Sequence, residues 1–237
     1  RAGLKAGLYD AGEAILNMQL LVSQHKPLGF YDPANPEERG AANPKDEQDE
    51  EAEDEDKEQP IEKAAEDMRY PMLSFSQSDM AFRDDLLVTG SYHGFNMYRI
   101  DEEGLPKLIT SVVCPGGQGD VSIVGDLLIM SVEQTRGRLD CGLQGVVADA
   151  SPERFRGLRI FDISDLSRPI QVGAVQTCRG SHTHSVVSGP TPDGKILVYN
   201  SGTSSVREED ELDHCIDDTP GDERTALFRI DVIEIPV

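Results

Sequence analysis

The feature that most limits the fold of this chain is a unit of short strands that occurs three times. Each copy begins with a polar residue and has two short apolar runs separated by a turn containing Asp or Gly, which is the pattern of a β-hairpin. The aligned segments are SDMAFRDDLLVTGS (78–91), GDVSIVGDLLIMSV (119–132) and THSVVSGPTPDGKILVYNSG (183–202). Three hairpins of one design predict a repeat architecture.

Further strands follow each hairpin. A third strand is predicted in every unit, at GFNMYRID (94–101), GLRIFDIS (157–164) and LFRIDVI (227–233). A fourth follows in the first two units, at LPKLITSVVC (105–114) and RPIQVGAVQTC (168–178). Three or four short strands per unit are typical of a β-propeller blade. We therefore predict an all-β fold, a β-propeller with four-stranded blades, represented here over residues 76–115, 116–178 and 179–237.

Three blades do not close a propeller ring, which needs roughly four to eight. The third unit also lacks a fourth strand. We therefore expect the remaining blades to come from a longer polypeptide or from a second chain. Residues 1–27 form a lead-in in which Met18, Leu20 and Val22 alternate with their neighbours, the period of a strand. This strand is predicted to complete another blade.

The second unit resembles a known family. GDLLIMSV, GLRIFDISDLSRP and PIQVGAV are similar to the repeats of LVIVD-repeat proteins, which are secreted or surface-exposed bacterial β-propellers. The resemblance extends over residues 76–237. It implies a propeller fold and an extracellular, cell-surface or periplasmic location, and it implies no defined activity.

The chain is strongly acidic, with 44 Asp and Glu against 22 Lys and Arg and a formal charge of −22. Asp46–Asp67 holds 13 of the acids against Lys57 and Lys63. Such a run favours a solvated loop or linker over residues 28–75, with calcium scavenging or a basic partner as alternatives. The charge argues against nucleic-acid binding, which depends on Lys and Arg. No apolar run is long enough for a transmembrane segment.

The four cysteines fall at matching places in two units. Cys114 and Cys178 end fourth strands, whereas Cys141 and Cys215 lie in the long connections between second and third strands. In a propeller blade these two kinds of site lie at the same end of the strands. We therefore predict the disulfides Cys114–Cys141 and Cys178–Cys215, and with them an oxidising compartment.

A zinc site is the competing interpretation of the segment CRGSHTHSVV (178–187). Cys178, His182, His184, His214 and Cys215 are all suitable zinc ligands. The other two cysteines have no neighbouring histidine, however. The disulfides account for all four cysteines and zinc for two.

The first strands of the units carry a candidate site for a divalent cation, either Ca²⁺ or a transition metal. Alignment places Asp79, Asp120 and His184 just before the apolar run, and His182 lies two residues before His184. If these strands line an axis, their side chains converge at its mouth and could bind the cation. Alternatively, each polar residue caps backbone amides of a neighbouring strand.

Two functions from different classes follow. The leading prediction is a secreted or cell-surface β-propeller that acts as a binding or assembly module through the end carrying its disulfides. Its partners would be other surface proteins or glycans. The alternative is a metal-dependent enzyme with a cation on the axis. No Ser–His–Asp order and no G-x-S-x-G motif occurs, so the enzyme is the less favoured reading.

Overall fold

A computed structural model describes residues 3–7, 10–30, 76–217, 224–227 and 229–237. The acidic segment Asp46–Asp67 lies outside these residues, so the loop expected there stays a prediction. The described residues contain strands and turns and no helix, which confirms the all-β prediction. Accordingly, no helix in the described part of the chain is long and apolar enough to cross a membrane.

In the described part of the chain, eleven strands form three antiparallel sheets. The first sheet consists of β1 (Gln77–Arg83), β2 (Leu86–Ser91), β3 (Gly94–Ile100) and β4 (Pro106–Val113). The second consists of β5 (Gln118–Val124), β6 (Leu127–Val132), β7 (Gly157–Asp162) and β8 (Ile170–Gln176). The third consists of β9 (Thr183–Ser188), β10 (Lys195–Ser201) and β11 (Asp231–Pro236). β11 begins and ends later than the third strand predicted at 227–233.

The sheets are stacked face to face, in the order of the sequence. One core lies between the first and second sheets and includes Val88, Phe95 and Met130; a second lies between the second and third sheets and includes Ile129 and Val198. β6 contributes to both cores, because successive side chains of a strand point to opposite faces. This burial on both faces explains the unbroken apolar run LLIM in β6.

The first two sheets share a detail of their register. The pairing of β3 with β4 shifts between Met97 and Tyr98, and the pairing of β7 with β8 shifts between Ile160 and Phe161. Both shifts fall at the same place in the strand, and Ile109 and Val172 are the residues left unpaired. A β-bulge at one position in two sheets supports their description as copies of one unit.

Glycine allows the first two sheets to approach closely beside their first strands. A Cβ on Gly90 would lie 1.7 Å from the carbonyl oxygen of Gly119, so no other residue fits there. Gly119 itself has a φ of +68°, which favours glycine. Between the second and third sheets, Ser131 occupies the position equivalent to Gly90. The side chains of Ser181 and His184 lie against it.

The lead-in runs beside the first sheet. Gln24 Nε2 donates to the carbonyl oxygen of Pro106 at 2.8 Å, and Phe30 is buried. Residues 10–30 form no strand pairing within the described structure, and Met18, Leu20 and Val22 are exposed. The strand predicted here therefore has no partner among the described strands, and its pairing with a further blade stays a prediction.

Candidate functional site

The first strands of the three sheets are joined by a repeated link between a carboxylate and a backbone amide. Asp79 in β1 accepts a hydrogen bond from the amide of Val121 in β5 at 3.0 Å. Asp120 in β5 accepts one from the amide of His184 in β9 at 2.7 Å. Both aspartates therefore act as the amide-capping interpretation predicts.

This link corrects the alignment of the third unit by one residue. The amides that receive the carboxylates belong to Val121 and His184, so these two residues are equivalent. Thr183, rather than His184, occupies the position of Asp79 and Asp120. The strand pairings are compatible with this, because Asp79 lies opposite Gly90, the last residue but one of β2, and Thr183 lies opposite Ser201, the last residue of β10.

His184 is buried in a polar cluster between the second and third sheets. Its Nδ1 lies 3.0 Å from Asp120 Oδ2 and 2.9 Å from Ser131 Oγ. Ser131 also contacts Ser181 Oγ at 2.6 Å, and Thr183 Oγ1 donates to Asp120 at 3.2 Å. The imidazole is completely shielded from solvent, whereas Asp120 is 21 % exposed.

The cluster stabilises the charged form of Asp120. Burial alone would raise the pKa of this carboxyl group, but hydrogen bonds from the side chain and the backbone of His184 outweigh the burial. Together with the neighbouring Asp79 they hold the pKa of Asp120 at about 2. Asp120 is therefore a carboxylate at every physiological pH.

The cluster contains a serine, a histidine and an aspartate, but it does not have the geometry of a catalytic triad. In a triad the serine and the aspartate bind opposite nitrogens of the imidazole. Here Ser131 and Asp120 both contact Nδ1 of His184. The other nitrogen, Nε2, is buried and has no hydrogen-bond partner in the described structure. The arrangement therefore positions His184 without activating Ser131.

The predicted cation ligands make hydrogen bonds within the protein instead of forming a chelating group. Among the described residues, no set of three or more His, Cys, Asp or Glu side chains is placed to hold a metal ion. One oxygen of Asp79 and one of Asp120 are bound to backbone amides. For Asp79 and Asp120, the observed contacts therefore correspond to the amide-capping interpretation, whereas His184 and His182 have side-chain partners.

His182 lies apart from His184 and has different partners. Its Nδ1 is 2.7 Å from Glu133 Oε2, and its side chain is 44 % exposed. The other oxygen of Glu133 accepts hydrogen bonds from the amide and the hydroxyl of Thr203 and from the amide of Ser204. Glu133 thus joins the start of β9 to the connection that follows β10.

Both disulfides have the predicted pairing. Cys114 is bonded to Cys141, and Cys178 is bonded to Cys215. All four sulfurs are used, so thiolate ligands for zinc at Cys178 and Cys215 are ruled out and that interpretation is wrong. Each bond ties a long connection, 133–156 or 202–230, to the end of a fourth strand. We call residues 133–156 and 202–217 of these connections the pinned face.

A buried carboxylate holds the two connections of the pinned face together. Glu211, 1 % exposed, forms ion pairs with Arg154 and Arg207, and Arg207 Nε lies 2.6 Å from it. It also accepts a hydrogen bond from the amide of Ser151 at 2.9 Å. Both arginines are buried. A buried charge needs such partners, so each connection depends on the other for its conformation.

Glu133 and Glu211 were not predicted from the sequence. They lie in connections without periodicity, and partners such as Thr203 and Arg154 are distant from them along the chain. The single available signal is the presence of four arginines within one connection of an acidic protein, Arg136, Arg138, Arg154 and Arg156. Arginine is the residue best suited to buried ion pairs.

Comparison with known proteins does not assign the chain to a family. No family model matches the chain, and no curated protein shows significant similarity to it.

Proposed function

We propose that this protein is a β-propeller that acts as an extracytoplasmic binding or assembly module, with the pinned face as its recognition surface. The observation that carries the proposal is that two disulfides tie two long connections to strand ends and that the buried Glu211 ties these connections to each other. Long connections are costly to order. Held rigid at one end of a stack of sheets, they resemble the binding loops of other β scaffolds.

The propeller part of the proposal is supported by the repeated features of the sheets. Two sheets share a strand order and a bulge, and successive first strands are joined by equivalent carboxylate–amide links. The resemblance to LVIVD-repeat proteins agrees with this architecture. The disulfides support an oxidising location at the cell surface, in the periplasm or outside the cell.

The pinned face offers exposed apolar side chains for contact with a partner. Leu139, Leu143 and Val147 are 43 %, 54 % and 40 % exposed, all within one connection. Apolar residues on a rigid, polar background are suited to recognition of a protein or of the apolar face of a sugar ring. Surface proteins and glycans are therefore the proposed ligand classes.

The test is binding to a glycan microarray and to an array of purified extracellular protein domains. We expect a signal that is lost when Leu139, Leu143 and Val147 are all replaced by Asp. It should be retained in Val187→Asp, an equally exposed position on β9 away from the pinned face. Absence of any signal, or equal binding by both variants, would contradict the proposed function.

A further inference from the structure

Among the described residues, the third sheet ends in an edge that no strand covers. In the first two sheets, β4 and β8 pair with the third strand, whereas β11 pairs with β10 alone among the described residues. The free N–H and C=O groups along such an edge are a template for another strand. The edge of β11 is therefore a potential site of strand addition.

An apolar cleft lies beside this edge, between the second and third sheets. Its volume is about 630 Å³, and its walls include Ile160, Val172 and Val175 on one side and Ile196 and Ile235 on the other. A strand added to β11 would place every second side chain toward this cleft. The cleft therefore selects a strand with apolar residues at alternate positions.

The bulge residues of the two four-stranded sheets, Ile109 and Val172, differ in how far they are buried. Ile109 of the first sheet packs against the core between the first and second sheets. Val172, its equivalent in the second sheet, is 58 % exposed, and the nearby Ile170 is 53 % exposed. The sheet that faces Val172 has one strand fewer than the sheet that faces Ile109. A fourth strand in the third sheet would cover Val172.

The chain itself contains an apolar segment with the required alternation. Met18, Leu20 and Val22 are 79 %, 52 % and 39 % exposed and occupy alternate positions. The structure gives this segment no strand pairing with any described residue. Exposed apolar side chains with strand periodicity complement an exposed strand edge beside an apolar cleft.

The geometry points to exchange of this segment between two copies. Gln24 is bonded to Pro106 of the first sheet, and the second sheet lies between that sheet and β11. A segment tethered to the first sheet therefore faces away from the third sheet of its own copy. We propose that Met18–Val22 of one copy forms the fourth strand of the third sheet in a second copy, reciprocally, so that the chain dimerises. This inference goes beyond the proposed function and does not depend on what the pinned face binds.

The first test is the mass in solution, measured by light scattering during size-exclusion chromatography. The full chain should elute with twice the mass of 26.0 kDa. Leu20→Asp in the donated strand and Val172→Asp in the cleft should each weaken association roughly tenfold or more, because a carboxylate would be buried without a partner. Leu28→Asp, at a position 88 % exposed outside the strand, should leave the dimer intact.

The second test mixes the two defective variants. The Leu20→Asp chain retains an intact cleft, and the Val172→Asp chain retains an intact donor strand, so together they should form a mixed dimer through one exchanged strand. A monomeric wild type at every soluble concentration would overturn the proposal. So would a dimer that neither substitution weakens, or a mixture that stays monomeric while both variants retain the wild-type circular dichroism.

Discussion

Replacement of Asp120 by Asn tests whether the carboxylate between the second and third sheets stabilises the fold. Its pKa is about 2 in the folded protein, against an ordinary value of 3.8. A carboxyl group with a depressed pKa in the folded protein contributes its full stabilisation at a pH above its ordinary, unfolded-state pKa. This contribution disappears as the pH falls through the pKa of the folded state. The difference corresponds to about 2 kcal/mol at neutral pH, at about 1.4 kcal/mol per pKa unit. Asp120→Asn should therefore lower the free energy of unfolding by about that amount.

The assay is urea unfolding of wild type and Asp120→Asn at pH 7, pH 5 and pH 3, with disulfides intact. The difference between the proteins should be constant from pH 7 to pH 5 and fall to roughly half by pH 3. Asp213→Asn, at an exposed position in the pinned face, is the matched control and should change the stability little. A penalty that does not vary with pH, or an equal penalty in the control, would refute the reasoning.

Three further outcomes are expected. Replacing Cys178 and Cys215 together by Ser should cost about 4 kcal/mol in chemical denaturation, the loop-entropy value for a separation of 37 residues, and an unchanged midpoint would contradict it. Glu211→Gln should lower the free energy of unfolding by about 3 kcal/mol or more, since it leaves two buried arginines short of a counter-charge, whereas the 60 %-exposed Glu153→Gln should have little effect. Deletion of Asp46–Asp67 should leave the melting temperature nearly unchanged, because the segment has few apolar side chains to bury; a large drop in calorimetry would show that it packs on the sheets.

The positions of most strands could be predicted because their side chains alternate or form short apolar runs. LLIMSV in β6 is one such run, and its burial on both faces is the physical reason for it. The cysteine pairing could also be predicted, since Cys114 and Cys178 end equivalent strands and Cys141 and Cys215 lie in equivalent connections. Both inferences depend on the repetition of one unit along the chain, because the order of strands and connections recurs even where the individual residues differ.

The register of the third unit could not be predicted. β1 and β5 each begin with an irregular pairing, between Gln77 and Asp79 and between Gln118 and Val121, whereas β9 pairs regularly at its start, from Thr183 to Val186, and shifts register only after that. An irregularity of this kind shifts the chain by a residue, and a shift of one moves a side chain to the other face of a strand. Alignment by residue type therefore placed His184 one position too early.

The carboxylate–amide link between first strands has an evolutionary consequence. Asp79 and Asp120 bind a backbone group, which is carried by valine in one neighbour and by histidine in the other. Every amino acid except proline offers the same donor. The backbone part of this link can therefore form whatever residue carries the amide, so that units can diverge, be duplicated or be exchanged between proteins while the contact between their first strands is preserved.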